Sequence, residues 1–276
     1  MTTSVVIPAY NGQKFLDANL PAVKAIGADE IVIVDDASAD PVHLEGGRMD
    51  SFQVKVIRHS KNLGFPVSVN DGFAAATGEI VVLLNQDVKP DKNLLKYTLP
   101  HFTDPKVFAV TFNEQGRSWA KAEIKNGFLE FSNGKMDNRV HESFWASGGS
   151  AAFRKSYWDT LGGFDPKFSP GYYEDLDIGW RAGNIGYKIL WVPDAKVTHA
   201  APESTFNKTF SKKSLQLIKD RNYLLAHWNN LDPKYYPSHL YHLVSKILHH
   251  PGYLLPTIQA VSRLLFYNSH TPVYES

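Results

Sequence analysis

The chain has 276 residues, 29 Lys+Arg against 28 Asp+Glu, 43% hydrophobic residues and no cysteine. A near-neutral chain this long and this apolar is not disordered and can bury a sizeable core, as one large domain or one domain with an appendage. The formal net charge of +1 gives no overall reason to expect nucleic acid, and the missing thiols exclude disulfides, thiolate metal sites and cysteine nucleophiles.

Met1-Thr2-Thr3 leads straight into the strand-like Ser4-Val5-Val6-Ile7-Pro8, without the basic and apolar regions of a secretory signal. Apolar runs such as Ile80-Val81-Val82-Leu83-Leu84 are far shorter than the ~20 residues a membrane-spanning helix needs. The expectation is a cytoplasmic protein, soluble or peripheral on the inner face of the cell membrane.

Strands are predicted at Ser4 to Ile7, Glu30 to Asp35, Val54 to His59 and Glu79 to Asn85, each a short β-branched run. Between them, Phe15-Leu16, Leu20, Val23 and Ile26 recur at helical spacing, and Val67 to Ala75 suits a second helix ended by Gly78. Strands joined by helical crossovers make a mostly parallel α/β sheet, which binds ligands beyond the carboxyl ends of its strands. Those ends carry Pro8-Ala9-Tyr10-Asn11-Gly12, Asp35-Asp36-Ala37-Ser38 and Asn85-Gln86-Asp87. They offer acids and amides but no G-x-G-x-x-G and no P-loop, which argues against a dinucleotide dehydrogenase and a P-loop kinase.

Residues 113–142 loosen into polar, glycine-containing loops and a hairpin inserted over the sheet. Pattern returns at Phe144 to Phe153, at Leu161-Gly162-Gly163-Phe164-Asp165 and at Tyr172 to Arg181, where a helix rich in acids opens. Lys188 to Val192 and Lys196 to His199 read as two short strands split by Pro193-Asp194. Residues 204–276 carry eight Lys+Arg against three Asp+Glu and six of the eleven histidines. The net +1 is therefore an acidic front of −4 and a basic tail of +5. Leucine-rich, aromatic stretches in that tail predict two or three amphipathic helices, suited either to a bilayer interface or to packing on the core.

Three groups of side chains can carry chemistry. Asp35 and Asp36 end a buried strand, where carboxylates accept bonds from a ligand's N–H or ribose hydroxyls or simply form a turn. Asn85 and Asp87, at i and i+2, share a face on an extended backbone and can grip one hard cation, with His199 adding a nitrogen; a polar turn before Pro90 is the alternative. Glu174, Asp175 and Asp177 crowd three acids into four residues. Crowding in a dry site raises their pKa and suits a general base, whereas a helix macrodipole attracts the same residues.

Taken in order, the pieces resemble a family 2 glycosyltransferase of the GT-A fold, over roughly Ser4 to Ala200. The resemblance rests on Val5 to Asn11, Ile31 to Ser38, Asn62-Leu63-Gly64-Phe65 with Asn70 and Gly72, and Gly78 to Asp87. It continues through Gly148-Gly149 to Arg154, Gly163-Phe164-Asp165, Glu174-Asp175-Leu176-Asp177 with Arg181, and Val197 to His199. It is closest to the rhamnosyltransferase-like branch of bacterial surface polysaccharide assembly.

The resemblance implies a GT-A type Rossmann-like α/β catalytic domain over 1–203, with a basic, aromatic-rich helical extension over 204–276. The activity implied is inverting, metal-dependent transfer of a hexosyl or deoxyhexosyl group. The donor would be a nucleoside diphosphate sugar, dTDP-rhamnose or a UDP-hexose, and the acceptor a glycan or lipid-linked glycan. Asp175 would be the catalytic base with Glu174 beside it. Asp87, His199 and Asn85 would hold Mg²⁺ or Mn²⁺, Asn85 standing where the family usually has an acid. Pro8, Tyr10, Asn11, Asp35, Asp36, Asn62, Gly64, Asn70 and Gln86 would contact the nucleotide. Gly148, Gly149 and Arg181 would contact the sugars. Partners implied are the donor, the acceptor and a membrane surface through the C-terminal helices, with no nucleic acid and with room for an oligomer. The rival readings are a sugar nucleotidyltransferase, which needs a basic, glycine-rich phosphate loop absent after the first strand, and a non-catalytic sugar-binding module of the same fold.

Overall fold

A computed structural model describes residues 1–44, 53–115, 117–199 and 209–267. Its centre is a nine-stranded sheet in the order β3-β2-β1-β4-β10-β6-β11-β5, with β9 beside β11. The strands are β1 Thr3–Ala9, β2 Glu30–Asp35, β3 Gln53–Arg58, β4 Ile80–Leu84, β5 Val88–Pro90, β6 Val107–Glu114, β9 His141–Glu142, β10 Ser150–Arg154 and β11 Lys188–His199. The pairs β1/β2, β2/β3, β1/β4 and β6/β11 run parallel, while β10 lies antiparallel to both β4 and β6.

Alternation explains the layering, because successive side chains on a strand point to opposite faces. Val5, Ile7, Ile31, Ile33, Ile80 and Val82 pack with Leu16 and Val23 of helix α1, Gln13–Ala25, on one face. Val6, Val32, Val34, Val81 and Leu83 pack with Val69 and Phe73 of helix α2, Phe65–Ala75, on the other. Both faces are covered, so the strands read as unbroken apolar runs. The sheet grows outward from β1 in two directions, to β2 and β3 on one side and to β4 on the other. That reversal opens a crevice at the carboxyl ends of β1 and β4.

The two short strands expected around Pro193 form the single strand β11, whose register against β6 shifts between Val192 and Lys196. Proline cannot donate to the ladder, and the irregularity absorbs it. The predicted hairpin is present as β7, Ala120–Lys125, and β8, Phe128–Asn133, which among the described residues form a separate two-stranded sheet. Short helices α3, Leu94–Thr98, and α4, Lys155–Leu161, flank the sheet, and the acid-rich helix is α5, Glu174–Asn184.

Among the described residues three helices follow: α6 Lys212–Asn230, α7 Tyr236–His249 and α8 Leu254–Phe266. Their apolar residues Leu224, Leu225, Leu243 and Ala260 join Leu129 of the hairpin with Leu176 and Trp180 of α5 in one buried cluster. The tail therefore packs on the core, and this cluster spans the expected boundary at 203/204. The outer faces of α7 and α8 nevertheless expose Tyr241, Val244, Leu248, Ile258, Leu265 and Phe266. No helix among the described residues is long and apolar enough to cross a membrane.

Candidate active site

The crevice at the switch point is an open cleft. Its walls include Pro8, Tyr10, Asp36, Asn62, Gly64, Asn85, Gln86, Asp87 and His199. These come from the ends of β1, β2, β4 and β11 and from the loop that leads into α2.

Asp36, 4% exposed, organises one wall of the cleft. The backbone N–H groups of Leu63 and Gly64 donate to its two carboxylate oxygens, at 2.8 Å each. Gly64 has φ +89°, a left-handed conformation that favours glycine, and it delivers the chain to Phe65 and Pro66 at the start of α2. Asn62 donates to the Asp36 carbonyl at 3.2 Å, while its own Oδ1 is buried without a protein partner. That unpaired acceptor in the cleft wall suits an N–H donor of a ligand. His59 Nδ1 and Nε2 lie 2.8 and 3.0 Å from Asp36 Oδ1 and Asp71 Oδ2. Hydrogen bonds to these two carboxylates push its pKa up to about 9.

Other predicted nucleotide residues support the cleft from behind. Asp35 accepts from the backbone N–H of Ser38 at 2.9 Å and of Val42 at 3.1 Å, and pairs with Arg58. Asn11 accepts from Ala39 N–H at 2.8 Å, bracing the same turn. The Gln86 amide bonds the Tyr10 backbone both ways, at 3.1 and 3.2 Å. Asn70 faces away from the cleft: its amide pairs with the carbonyl and N–H of Phe164, at 2.7 and 2.9 Å. Arg181 is likewise engaged inside the protein, donating to Asp177 and to the carbonyls of Leu161 and Gly163. Neither Asn70 nor Arg181 lines the cleft; both fix the loop between α4 and α5.

Asn85 and Asp87 do meet in the cleft, but through a turn rather than an extended backbone, since Val88 N–H donates to the Asn85 carbonyl at 3.0 Å. Asp87 Oδ1 lies 3.0 Å from His199 Nε2, and His199 Nδ1 lies 2.9 Å from Glu114 Oε1. Hydrogen bonds donated to the two carboxylates push the His199 pKa up to about 9. Glu114, at the end of β6, was not singled out in the sequence. A carboxylate behind a histidine is the usual support for a metal-ligating imidazole, since it sets the tautomer and the ring orientation. Among the described residues no group of three His, Asp or Glu side chains forms a ready metal cage. The Asp87 oxygens, and the His199 nitrogen once it has given up its proton, still fit a hard divalent cation.

The three acids of α5 separate into two roles, because residues two apart on a helix diverge by about 200°. Asp177, fully buried, accepts from Arg181 at 2.8 Å and from Asn230 at 2.7 Å. Glu174 and Asp175 instead face Gly148: the Gly148 N–H donates to Asp175 Oδ2 at 3.1 Å, and Leu176 N–H donates to Oδ1 at 2.8 Å. Burial raises the pKa of Asp175. It raises that of Glu174 well above the carboxylate range, with the Asp175 charge adding to the effect, and Glu174 Oε2 has no hydrogen-bond partner. Any side chain at Gly149 would strike Asn85, whose N–H donates to the Gly149 carbonyl at 2.9 Å. The Gly148-Gly149 strip thus joins the cation side to the acid pair at close range. Arg117, also unforeseen, lies 3.5 Å from Glu114 with its side chain 67% exposed, and its positive charge acts on Asp175.

The family model described as "Glycosyl transferase family 2" matches residues 4–162. The chain belongs to glycosyl transferase family 2. The pre-mycofactocin glycosyltransferase of Mycobacterium tuberculosis is 28% identical to this family member over 202 residues, 71% of this chain and 42% of that protein. An N-acetylglucosaminyl-diphospho-decaprenol L-rhamnosyltransferase of the same organism is 39% identical over 61 residues, 22% of this chain and 20% of the relative. The chain therefore spans less than half of these curated relatives. Among solved structures, GalNAc-T7 with UDP, GalNAc and Mn²⁺ superposes with a TM-score of 0.65 at 20% identity, covering 82% of this chain and 47% of that one. That likeness shows the GT-A glycosyltransferase fold, as the sequence predicts.

Proposed function

We propose that this family member is a metal-dependent, inverting glycosyltransferase. It moves a sugar from a nucleoside diphosphate sugar to a hydroxyl of a glycan or lipid-linked glycan in surface polysaccharide synthesis. The observation that carries the reading is the continuity of three parts at one sheet edge: the Asp36–Asn62 cradle, the Asp87–His199 donor pair, and the Asp175 carboxylate one glycine strip away. The 61-residue likeness to a rhamnosyltransferase supports dTDP-rhamnose as donor, with a UDP-hexose as the alternative.

Asp36 and Asn62 orient the nucleoside. Asp87 and His199, with Asn85 beside them, would hold Mg²⁺ or Mn²⁺, which when bound would offset negative charge on the departing diphosphate. Asp175 takes the proton from the acceptor hydroxyl as that oxygen attacks the anomeric carbon from the face opposite the leaving group, so one displacement inverts the centre. Burial raises the pKa of Glu174 further than that of Asp175, which leaves Asp175 as the carboxylate of the pair better able to take up that proton. Calorimetry tests the donor side: nucleoside diphosphate binding strengthens with Mg²⁺ or Mn²⁺ in the wild type and is indifferent to the ion in Asp87→Ala. An unchanged ion dependence in that variant removes Asp87 from the metal site.

A lipid-linked acceptor also accounts for the outer face of α7 and α8. Leu240, Tyr241, Val244 and Leu248 line α7, and Leu255, Ile258, Leu265 and Phe266 line α8, all more than half exposed. Residues 236–267 include Lys246 and Arg263 and no Asp or Glu, a composition suited to an anionic lipid surface. The full chain is expected to sediment with phosphatidylglycerol-containing vesicles and to lose most of that binding in Leu248→Glu with Phe266→Glu. Undiminished binding in the double variant locates the contact elsewhere.

A further inference from the structure

Phe131 is a large aromatic side chain, 45% exposed, on a strand whose neighbouring residues Glu130, Ser132 and Asn133 are polar and exposed. It shares its strand face with the buried Leu129, which anchors the hairpin on the helices. Phe131 therefore projects from the anchored side of the hairpin, beside two half-buried rings. Its centroid lies 5.4 Å from that of Trp145, at an interplanar angle of 86°, and 6.4 Å from that of Tyr173, at 67°. Two rings set steeply against Phe131 make a corner rather than a stack.

That corner is fixed to the acid pair through the backbone. Tyr173, held at φ +71°, directly precedes Glu174 and Asp175. Trp145 is pressed onto α5, where a side chain at Gly179 would strike its Cα and Cβ. Three residues beyond Trp145, the Gly148 N–H grips Asp175. Phe144, the neighbour of Trp145, meets Trp180 of α5 edge-on. The rings thus sit on the same rigid support as the carboxylate, and none of them lines the nucleoside cleft. An aromatic ring presents a negative face to partly positive C–H groups, and the C–H-rich face of a pyranose offers such groups while its hydroxyls stay at the rim.

We propose that Phe131, Trp145 and Tyr173 form the subsite that receives the pyranose ring of the acceptor and turns one of its hydroxyls toward Asp175. The proposal rests on the glycosyltransferase reading and deepens it by assigning the acceptor side to a sugar ring rather than to a lipid chain. Exposure of Phe131 makes it the ring to test, because truncating it leaves the buried cluster intact.

Saturation-transfer NMR on the full chain, with methyl pyranosides, disaccharides and citronellyl phosphate as probes, reads the subsite directly. A saccharide of the panel should bind the wild type and Phe131→Trp. Its affinity should fall roughly tenfold in Phe131→Ala and in Phe131→Leu, the loss of about one aromatic contact. Leucine keeps the apolar bulk and lacks the ring face. Nucleoside diphosphate binding, followed by thermal shift, should be the same in all four proteins. Equal saccharide binding in wild type, Phe131→Ala and Phe131→Leu, a response to citronellyl phosphate alone, or no saccharide response in the wild type would overturn the subsite. Loss of nucleotide binding in the wild type strikes instead at the transferase reading, so the two failures are distinguishable.

Discussion

At the residue scale, side-chain direction decides which residues form the site. Asp36, Asp87 and His199 were legible in the sequence because each ends a strand, and strand ends of a parallel sheet meet at one edge. Glu114 was not, because its partner His199 lies 85 positions away and only the β6/β11 pairing brings them together. Asn70 and Arg181 match family positions, yet tertiary packing turns both onto the 161–164 loop. Asp175 differs from Asp177 in the same way: one faces Gly148, the other is buried against Asn230. Asp175→Asn is expected to lower transfer by at least about a hundredfold, the scale of general-base catalysis, with nucleotide binding by calorimetry unchanged. Because burial raises the Asp175 pKa, the acid limb of the rate–pH profile should lie above the ordinary carboxylate range, activity falling as pH falls and the base takes up its proton. A limb at the pKa of a free aspartate would contradict its placement.

At the element scale, the cradle depends on β2, β3 and α2 being clamped together. His59 follows β3 and bridges Asp36 after β2 to Asp71 on α2, with its side chain 8% exposed. Its pKa of about 9 in the fold, against 6.5 ordinarily, makes the clamp pH-dependent. The folded state binds the extra proton, so this stabilisation is complete below pH 6.5 and is lost as pH rises through about 9. The full swing is at most about 3 kcal/mol. Urea unfolding across that range should show the decline in the wild type and a flatter profile in His59→Gln. Parallel profiles would mean that the imidazole carries no proton-linked stability. The strand–helix alternation that builds these elements was plain in the sequence, whereas the single bulged β11 was not, because Pro193 reads as a break when its partner β6 is unknown.

At the scale of the whole molecule, the balanced charge of +1 divides by position. Carboxylates gather where β2, β4 and β6 end, and the described part of the basic tail folds back as three helices on the hairpin and α5. Whether that tail packs or meets a lipid surface was an open choice in the sequence, since one amphipathic pattern serves both. In the fold, the inner faces of the helices pack while the outer faces of α7 and α8 remain exposed. The hairpin, read only as an insertion, packs Leu129 on this tail and sets Phe131 beside Tyr173, the residue before the acid pair. The central claim is that the cleft and the acid pair together transfer a sugar from a nucleoside diphosphate. Incubating the full chain with a panel of nucleotide sugars, Mg²⁺ or Mn²⁺ and glycan acceptors, and identifying the products by mass spectrometry, tests it most directly. The account predicts one nucleoside diphosphate released for each glycoside of inverted anomeric configuration, whereas release of pyrophosphate, or a product that retains the donor's configuration, would contradict it.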